Sequence, residues 1–441
     1  MPKLIIANVD SEHQVADVSG YSRHEQSEII LCNQRMMWLA DPGDVLVLPS
    51  EPTEQLKAYW AELNGCRAED LTVLTPKTGA PLAFLRQDIL FAPDFIASCR
   101  KVVAALPEGR KPSSVLAYFP DNYVAEFAQA IGVDLEDAFF REGGATLLNE
   151  KTTFRKLAAG LGVSLPEGRV CENETDLKRA MRHFVSQGAD FIVKLNRHSG
   201  GFGNLIVHGP RSGGKTLGSS TVLRYGNAQD AEAILETVAS RIHEPAVVER
   251  YVDTDHVLYS EYLIDAQGRC FLLNDGTMNM EPLWVGFEIP GDYATHHRIR
   301  FLDESARLVR LAAQMGHRGR MNVDGLVAEG QIFVNEFNGR CGGCSHVFEI
   351  AKRLFGTQVL HSKHIKTYNR GKIEEGCDLF AVLSDAGLLL RPGMATGAIP
   401  LTIEPALDQA FEYMVIADCL VEARRISDAV LSLTAPRRLA A

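Results

Sequence analysis

The segment that most restricts the fold is Asp324-Gly-Leu-Val-Ala-Glu-Gly-Gln-Ile-Phe-Val-Asn-Glu336-Phe-Asn338-Gly-Arg340. Val327-Ala328 and Ile332-Phe333-Val334 read as two strands around a turn near Glu329-Gly330, which makes a hairpin. Glu336 and Asn338 are two apart, so a strand puts them on one face. A three-residue loop, Glu329–Gln331, sets Asp324 opposite Glu336. A two-residue loop slips the register by one and turns the two apart. In the first case two carboxylates and an amide oxygen share one surface. Such hard oxygen ligands suit Mg²⁺, which binds through a few carboxylates plus substrate phosphates. For a lone acidic pair, a solvated hairpin face is the plainer reading. Arg320 and Arg340 flank these acids, however, and two arginines there make a site for a negatively charged reacting group.

The chain has 441 residues, enough for about two to four domains or subdomains. In the first ~147 residues, short apolar runs at Lys3–Asn8, Asp44–Ser50, Leu71–Pro76 and Ser113–Pro120 alternate with helical spacings at Glu51–Leu63, Phe95–Leu106 and Asn122–Ile131. That alternation predicts an α/β unit with a mostly parallel, covered sheet. No GxGxxG follows the first strand, so a dinucleotide site is not supported there. A second unit begins near Asn149, with helices over Glu150–Leu161, Asp176–Gln187, Ala231–Ile242 and Asp303–Met315. Strands are expected at Leu165–Cys171, Phe191–Leu195, Leu205–His208 and Ala246–Val252, and hairpins near Ala266–Gly268 and Ala328–Gln331. Arg211–Asp230 is Gly/Ser-rich and reads as a mobile excursion. The last ~70 residues read as a tail with one clear helix, Asp418–Leu431. The expected divisions are 1–147, 148–370 with a smaller subdomain at about 165–250, and 371–441.

Two stretches compete to hold phosphate. Gly209-Pro-Arg-Ser-Gly-Gly214-Lys215-Thr216 fits the P-loop spacing in full. A P-loop needs a helix aimed at the phosphate, and Leu-Gly-Ser-Ser-Thr-Val after Thr216 is not a helix. The other is Lys194 at the end of a strand, followed by His198-Ser199-Gly200-Gly201-Phe202-Gly203-Asn204 and another strand. Backbone N–H groups of such a loop can close over triphosphate, with Lys194 as a point charge beside it.

Composition limits the partners. Lys plus Arg is 45 against 56 Asp plus Glu, a net charge of −11. A general nucleic-acid binder needs a basic footprint, so nucleic acid is not an expected partner. Apolar content of 46% excludes a disordered chain. No apolar run approaches the ~18 residues of a membrane span, and the start of the chain does not read as a signal peptide. The nine cysteines lack a disulfide-scaffold spacing, which predicts reduced thiols and a cytoplasmic protein.

Together these residues resemble the ATP-grasp superfamily over roughly residues 149–365. The family's elements stand in order: Lys151 at a helix start, Lys194 in Phe-Ile-Val-Lys, the glycine loop, Glu249-Arg250-Tyr251-Val252, then Asp324, Glu336 and Asn338. The first part resembles a pre-ATP-grasp domain. Arg-Gly-Arg-Met-Asn-Val-Asp-Gly and Asn-Gly-Arg-Cys-Gly-Gly-Cys-Ser-His, with the C-terminal segment, look most like the pheganomycin-type peptide ligases. The resemblance implies an α/β fold, with α+β character in the ATP-grasp part. It implies ATP and two Mg²⁺ as cofactors. It also implies a peptide ligase that joins a carboxylate to an amine through an acyl phosphate, releasing ADP, in natural-product biosynthesis. Lys151, Lys194, Ser199, Gly200, Gly201 and Gly203 would hold phosphates, and Glu249, Arg250, Tyr251 and Val252 the adenine. Asp324, Glu336 and Asn338 would be the metal ligands, and Arg320 and Arg340 the catalytic arginines. The expected partners are small-molecule acid and amine substrates, and the expected assembly is a monomer or homodimer. Two other readings stand beside this one: a P-loop phosphotransferase using Lys215 and Thr216, and a nucleotide-binding protein without turnover. Cys341-Gly-Gly-Cys344-Ser-His346 lacks a second ligand pair for zinc and reads as a glycine turn. His296-His297 reads as a surface pair in a polar loop.

Overall fold

The computed structural model describes residues 1–15, 17–78, 82–198, 200–213, 216–405 and 409–435. The four apolar runs of the first part, Lys3–Ile6, Val45–Val47, Thr72–Leu74 and Ser114–Ala117, form a parallel sheet. The spatial order is third, second, first, fourth, so winding reverses between the first and fourth strands. Helices Glu54–Asn64, Pro93–Ala105 and Asn122–Ala130 lie where periodicity predicts them. Helix Arg23–Gln34 is not anticipated. It buries Ser27, Asn33 and Gln34 beside Ile29, Ile30 and Leu31, so its sequence carries no clean apolar stripe.

A five-stranded sheet follows, in the order Gly168–Cys171, Ala246–Arg250, Phe191–Leu195, Asn204–His208, Thr221–Arg224. Helices Glu174–Gln187 and Ala228–Ala239 share its apolar core through Leu177, Phe184, Leu235 and Val238. The expected excursion at Arg211–Asp230 is corrected here. Thr221–Arg224 pairs in parallel with Leu205–His208, although its four residues are mostly exposed, which hid them from an apolar-run reading.

The largest sheet has eight antiparallel strands: Gln331–Asn338, Gly319–Ala328, His256–Ile264, Cys270–Glu281, Leu283–Ile289, His364–Lys372, Ala410–Ala417 and Gly397–Glu404. Helix Thr295–Met315 covers one face through Phe301, Leu308 and Val309. It begins well before Asp303, so His296 and His297 lie in its first turn rather than in a loop. The C-terminal segment is more than a tail with one helix. Two of its strands enter this sheet ahead of helix Leu420–Thr434. Pro400 disguises the first of them, and it is tolerated because the ladder is irregular between Pro400 and Thr402.

The acidic hairpin turns through two residues, not three. Glu329 and Gly330 both take positive φ, 53° and 71°, the conformation of a tight two-residue hairpin turn. Ala328 pairs with Gln331 and Gly325 with Val334, but Asp324 still pairs with Glu336. A β-bulge between Asp324 and Gly325 absorbs the slip, with Asn335 as the extra residue. The acids therefore face each other by a route the turn length alone argued against.

Candidate active site

Along strand Gly319–Ala328, the alternation puts Arg320, Asn322 and Asp324 on one face. Glu336 stands opposite Asp324, and Asn338 opposite Asn322. Both acids are half-buried. Burial and the neighbouring Glu336 charge push the Asp324 carboxyl well above the usual range. The Glu336 carboxyl is held below its usual range by Lys151, Lys194 and Arg340 against the opposing effect of burial. Burial and their mutual repulsion thus drive the two carboxyls apart, Asp324 upward, while the nearby cations hold Glu336 down. Two opposed carboxylates with an amide oxygen alongside are the donor set of a hard divalent cation, so these residues fit Mg²⁺. Among the described residues no group of three or more His, Cys, Asp or Glu side chains is placed to hold a metal; this set has two carboxylates only.

Lys151 opens helix Lys151–Gly160. The Thr152 N–H and hydroxyl both donate to Asn196 Oδ1, at 3.0 and 2.8 Å, which ties the helix start to the glycine loop. Lys151 Nζ donates to the His198 carbonyl at 2.7 Å and stands 3.8 Å from Glu336 Oε2. Burial pulls its pKa down, partly opposed by Glu336. Lys194 ion-pairs with Glu249 and donates to Asn335 Oδ1. Arg155 Nη1 donates to the same Glu249 at 2.8 Å. The Glu249 carboxylate is therefore committed to two cations inside the protein.

A cleft lies between the five-stranded sheet and the hairpin. Its walls include Lys194, Glu249, Arg250, Tyr251 and Val252 on one side, and Val257, Met280, Leu326 and Asn335 on the other. In the loop that follows Lys194, Gly200 and Gly201 take φ of 63° and 82°. A Cβ on Gly203 would lie 2.4 Å from that of His198, so the loop closes only with glycine there. Ser199 falls outside the described residues. The rim is fastened at Leu217, whose N–H donates to Tyr251 Oη at 2.7 Å, and at Gly218, whose N–H donates to the Pro282 carbonyl at 2.8 Å. A larger groove opens beyond the shared walls Thr254, Val257 and Met280. Its buried Glu288 is already paired with Lys366 and Arg424.

The P-loop reading does not survive. Gly214 and Lys215 lie outside the described residues, but the next element is strand Thr221–Arg224 and no helix follows Thr216 before it. The other arginine and cysteine expectations land as follows. Arg320 is almost fully buried, with Nη1 on Glu261 at 2.9 Å and Nη2 on Glu349 at 2.6 Å. Arg340 donates to Asn338 Oδ1 at 3.1 Å and to Tyr118 Oη at 2.9 Å. Cys341 and Cys344 are buried free thiols whose pKa burial raises. Cys344 Sγ donates to Asn322 Oδ1 at 3.0 Å. Sequence reasoning missed Asn335, Asn322 and Tyr118. Asn335 becomes visible only through the bulge, and Asn322 by its parity with Asp324. Tyr118 is 222 positions from Arg340 and carries no local signal.

A family model described as the pre-ATP-grasp domain matches residues 33–133. Comparison with curated proteins returns no match. Among solved structures, the chain is similar to N5-carboxyaminoimidazole synthetase from Staphylococcus aureus complexed with ADP. Identity is 11% and the TM-score 0.55, over 98% of this chain and 97% of that one. It is similar to the L-amino acid ligase from Bacillus licheniformis at 12% identity and TM-score 0.52, again over 98% and 97%. A biotin carboxylase complex from Campylobacter jejuni gives 12% and 0.58, over 98% and 90%. The fold is thus that of the ATP-grasp proteins, with a pre-ATP-grasp domain ahead of it. No described helix is long and apolar enough to cross a membrane.

Proposed function

We propose that this chain, built on the ATP-grasp fold, is an ATP-dependent carboxylate–amine ligase that forms a peptide bond and releases ADP and phosphate. The observation that carries the reading is the bulged hairpin. It sets Asp324, Glu336 and Asn338 on one face, with Lys151 3.8 Å from Glu336 and Lys194 on the bulge residue. Phosphoryl transfer asks a protein for positioning and charge neutralisation, and this face offers both. The similar solved structures are named as a synthetase, an L-amino acid ligase and a biotin carboxylase, which agrees with that chemistry.

Lys151 and Lys194 would hold α- and β-phosphates, with Gly200, Gly201, Gly203 and Ser199 closing over them. Backbone groups of Glu249–Val252 would take the adenine, since the Glu249 side chain is occupied. Asp324, Glu336 and Asn338 would hold two Mg²⁺. Bound there, the ions would supply charge neutralisation to the phosphates. Arg340 would stabilise negative charge on the acyl phosphate and on the tetrahedral species. Arg320, locked between two carboxylates, would shape the wall behind it and join catalysis only if Glu261 or Glu349 lets go. In this reading residues 148–370 are the ligase unit, about 165–250 its lid, 1–147 the pre-ATP-grasp domain, and 371–441 a segment completing the ligase sheet. Natural-product assembly is the setting that the resemblance to pheganomycin-type ligases suggests.

The test is ADP release screened over acids and amines offered in pairs, with hydroxylamine added in parallel. A hydroxamate that forms only with ATP and the acid supports an acyl phosphate. Release of AMP and pyrophosphate would sink that step even if a peptide forms.

A further inference from the structure

Arg340 follows the hairpin strand Gln331–Asn338 and reaches across to the N-terminal sheet. Its guanidinium sits 5.2 Å from the centre of the Tyr118 ring. Nη1 donates to Tyr118 Oη and to the Cys341 carbonyl, each at 2.9 Å, and Nη2 to Asn338 Oδ1 at 3.1 Å. Nε is buried and has no acceptor among the described residues.

Tyr118 is the first residue past strand Ser114–Ala117. Its N–H donates to the Ile6 carbonyl at 2.9 Å, and its own carbonyl accepts from Cys341 N–H at 3.0 Å. Asn8 grips the next residue, Phe119, with its amide donating to the carbonyl and accepting from the N–H. Tyr118 therefore stands on a rigid edge, not on a loop. That edge lies between the first and fourth strands, where the winding reverses. Parallel α/β sheets open a crevice there, beyond the carboxyl ends of their strands.

The Tyr118 oxygen accepts from Arg340, and among the described residues its own proton meets no acceptor. Burial pushes that hydroxyl up to about 12, so it stays protonated at neutral pH. Two buried donors, Arg340 Nε–H and Tyr118 Oη–H, thus lack acceptors among the described residues, the first on the Nη2 edge of the guanidinium and the second beside Nη1. Buried donors left unmatched are costly, and an anion approaching Arg340 from the Nη1 side would match the Tyr118 hydroxyl.

We propose that Tyr118 completes the anion clamp of Arg340, fixing the guanidinium and donating its hydroxyl to the same reacting oxyanion. This rests on the ligase reading. A carboxylate oxygen bonds to the γ-phosphorus as the bond from that phosphorus to the β-bridging oxygen breaks, and ADP leaves. Tyr118 keeps its proton throughout and only stabilises charge. The N-terminal domain then contributes a side chain to the reaction itself.

Tyr118→Phe keeps the ring over the guanidinium and removes only the hydroxyl. It is compared with the parent, with Arg340→Ala and with the double variant, after thermal melting shows all four folded. Orthovanadate affinity in the presence of Mg·ADP is the activity-independent readout, and pair-dependent ADP release is the second. Tyr118→Phe is expected to weaken vanadate at least tenfold and to lower kcat similarly, with KM for ATP within twofold of the parent. The same change made on Arg340→Ala should do little more. Unchanged vanadate affinity in Tyr118→Phe, an equal loss on the Arg340→Ala background, or no vanadate binding by the parent overturns the clamp. Vanadate binding that depends on Tyr118, without ADP release from any acid and amine, supports the clamp and sinks the ligase reading instead.

Discussion

Loading the metal site should expel a proton. Asp324 and Glu336 face each other across the bulged ladder. The Asp324 carboxyl is pushed up by burial and by the Glu336 charge, while Lys151, Lys194 and Arg340 hold Glu336 down. A hard cation wants both carboxylates ionised, so binding must displace a proton held by Asp324. Below the Asp324 pKa, each unit of falling pH should cost about 1.4 kcal/mol of Mg²⁺ affinity, a factor of about ten. Above it the dependence should flatten. Titration calorimetry with preformed Mg·ADP, in two buffers of different ionisation enthalpy, counts the protons. The parent should release more proton per site as the pH is lowered, approaching one below the Asp324 pKa. Glu336→Gln removes the repelling charge but not the burial, so the Asp324 pKa should come down only in part and the proton count should drop below the parent's at the same pH, while turnover is lost. The fold should survive, because Glu336 is a half-buried side chain on a hairpin face. An observed heat identical in both buffers at every pH would refute the raised Asp324 pKa, and turnover by Glu336→Gln within tenfold of the parent would refute the ligand role.

Three further outcomes are expected. Arg35→Met should cost about 3–5 kcal/mol in urea unfolding, because it strands Glu412, which Arg35 grips at 2.5 and 2.7 Å in the core; adding Glu412→Leu should recover most of it, and plain additivity would contradict this. Tyr251→Phe releases Leu217 from the cleft wall, so amide exchange around 216–218 should quicken about two- to tenfold and KM for ATP should rise; exchange over 198–220 equally slow with and without ATP would argue against a closing lid. Lys194→Met should weaken nucleotide binding in fluorescence titration about tenfold or more, with a modest stability loss because Arg155 still neutralises Glu249.

The parts legible in the sequence were those with local grammar. Parallel strands announce themselves as short apolar runs between turn residues, and Lys3–Ile6 to Ser114–Ala117 did so. Glu336 and Asn338 were readable from their spacing. What a one-dimensional reading could not supply was the compensation between a short turn and a bulge, since neither Glu329-Gly330 nor Asn335 alone fixes the pairing of Asp324. The commitment of Glu249 to Arg155 and Lys194 was hidden as well, because it depends on how a helix and two strands meet. Tyr118 was invisible for the same reason. The C-terminal strands were misjudged because Pro400 looks like a breaker until the ladder's irregularity there is known.

The far edge of the eight-stranded sheet, Gly397–Glu404, is the last strand the sheet acquires in space and nearly the last in sequence. Trp38 Nε1 donates to its Leu401 carbonyl at 2.6 Å, and its Ile403 N–H donates to Gln34 Oε1 at 3.0 Å. Unpaired strand edges invite pairing with other chains. Leu388 and Leu390 bond Ala398 from just upstream, but the Trp38 and Gln34 groups that cap the rest belong to a part of the chain made much earlier, Trp38 363 residues ahead of Leu401. At a synthesis rate of about 5–20 residues per second, the cap waits roughly 20–70 s for the strand it protects. The aggregation-prone edge is therefore born into a chain that already carries its cover, whereas a circular permutant starting near residue 380 would present Leu401 and Ile403 before Trp38 and Gln34 exist.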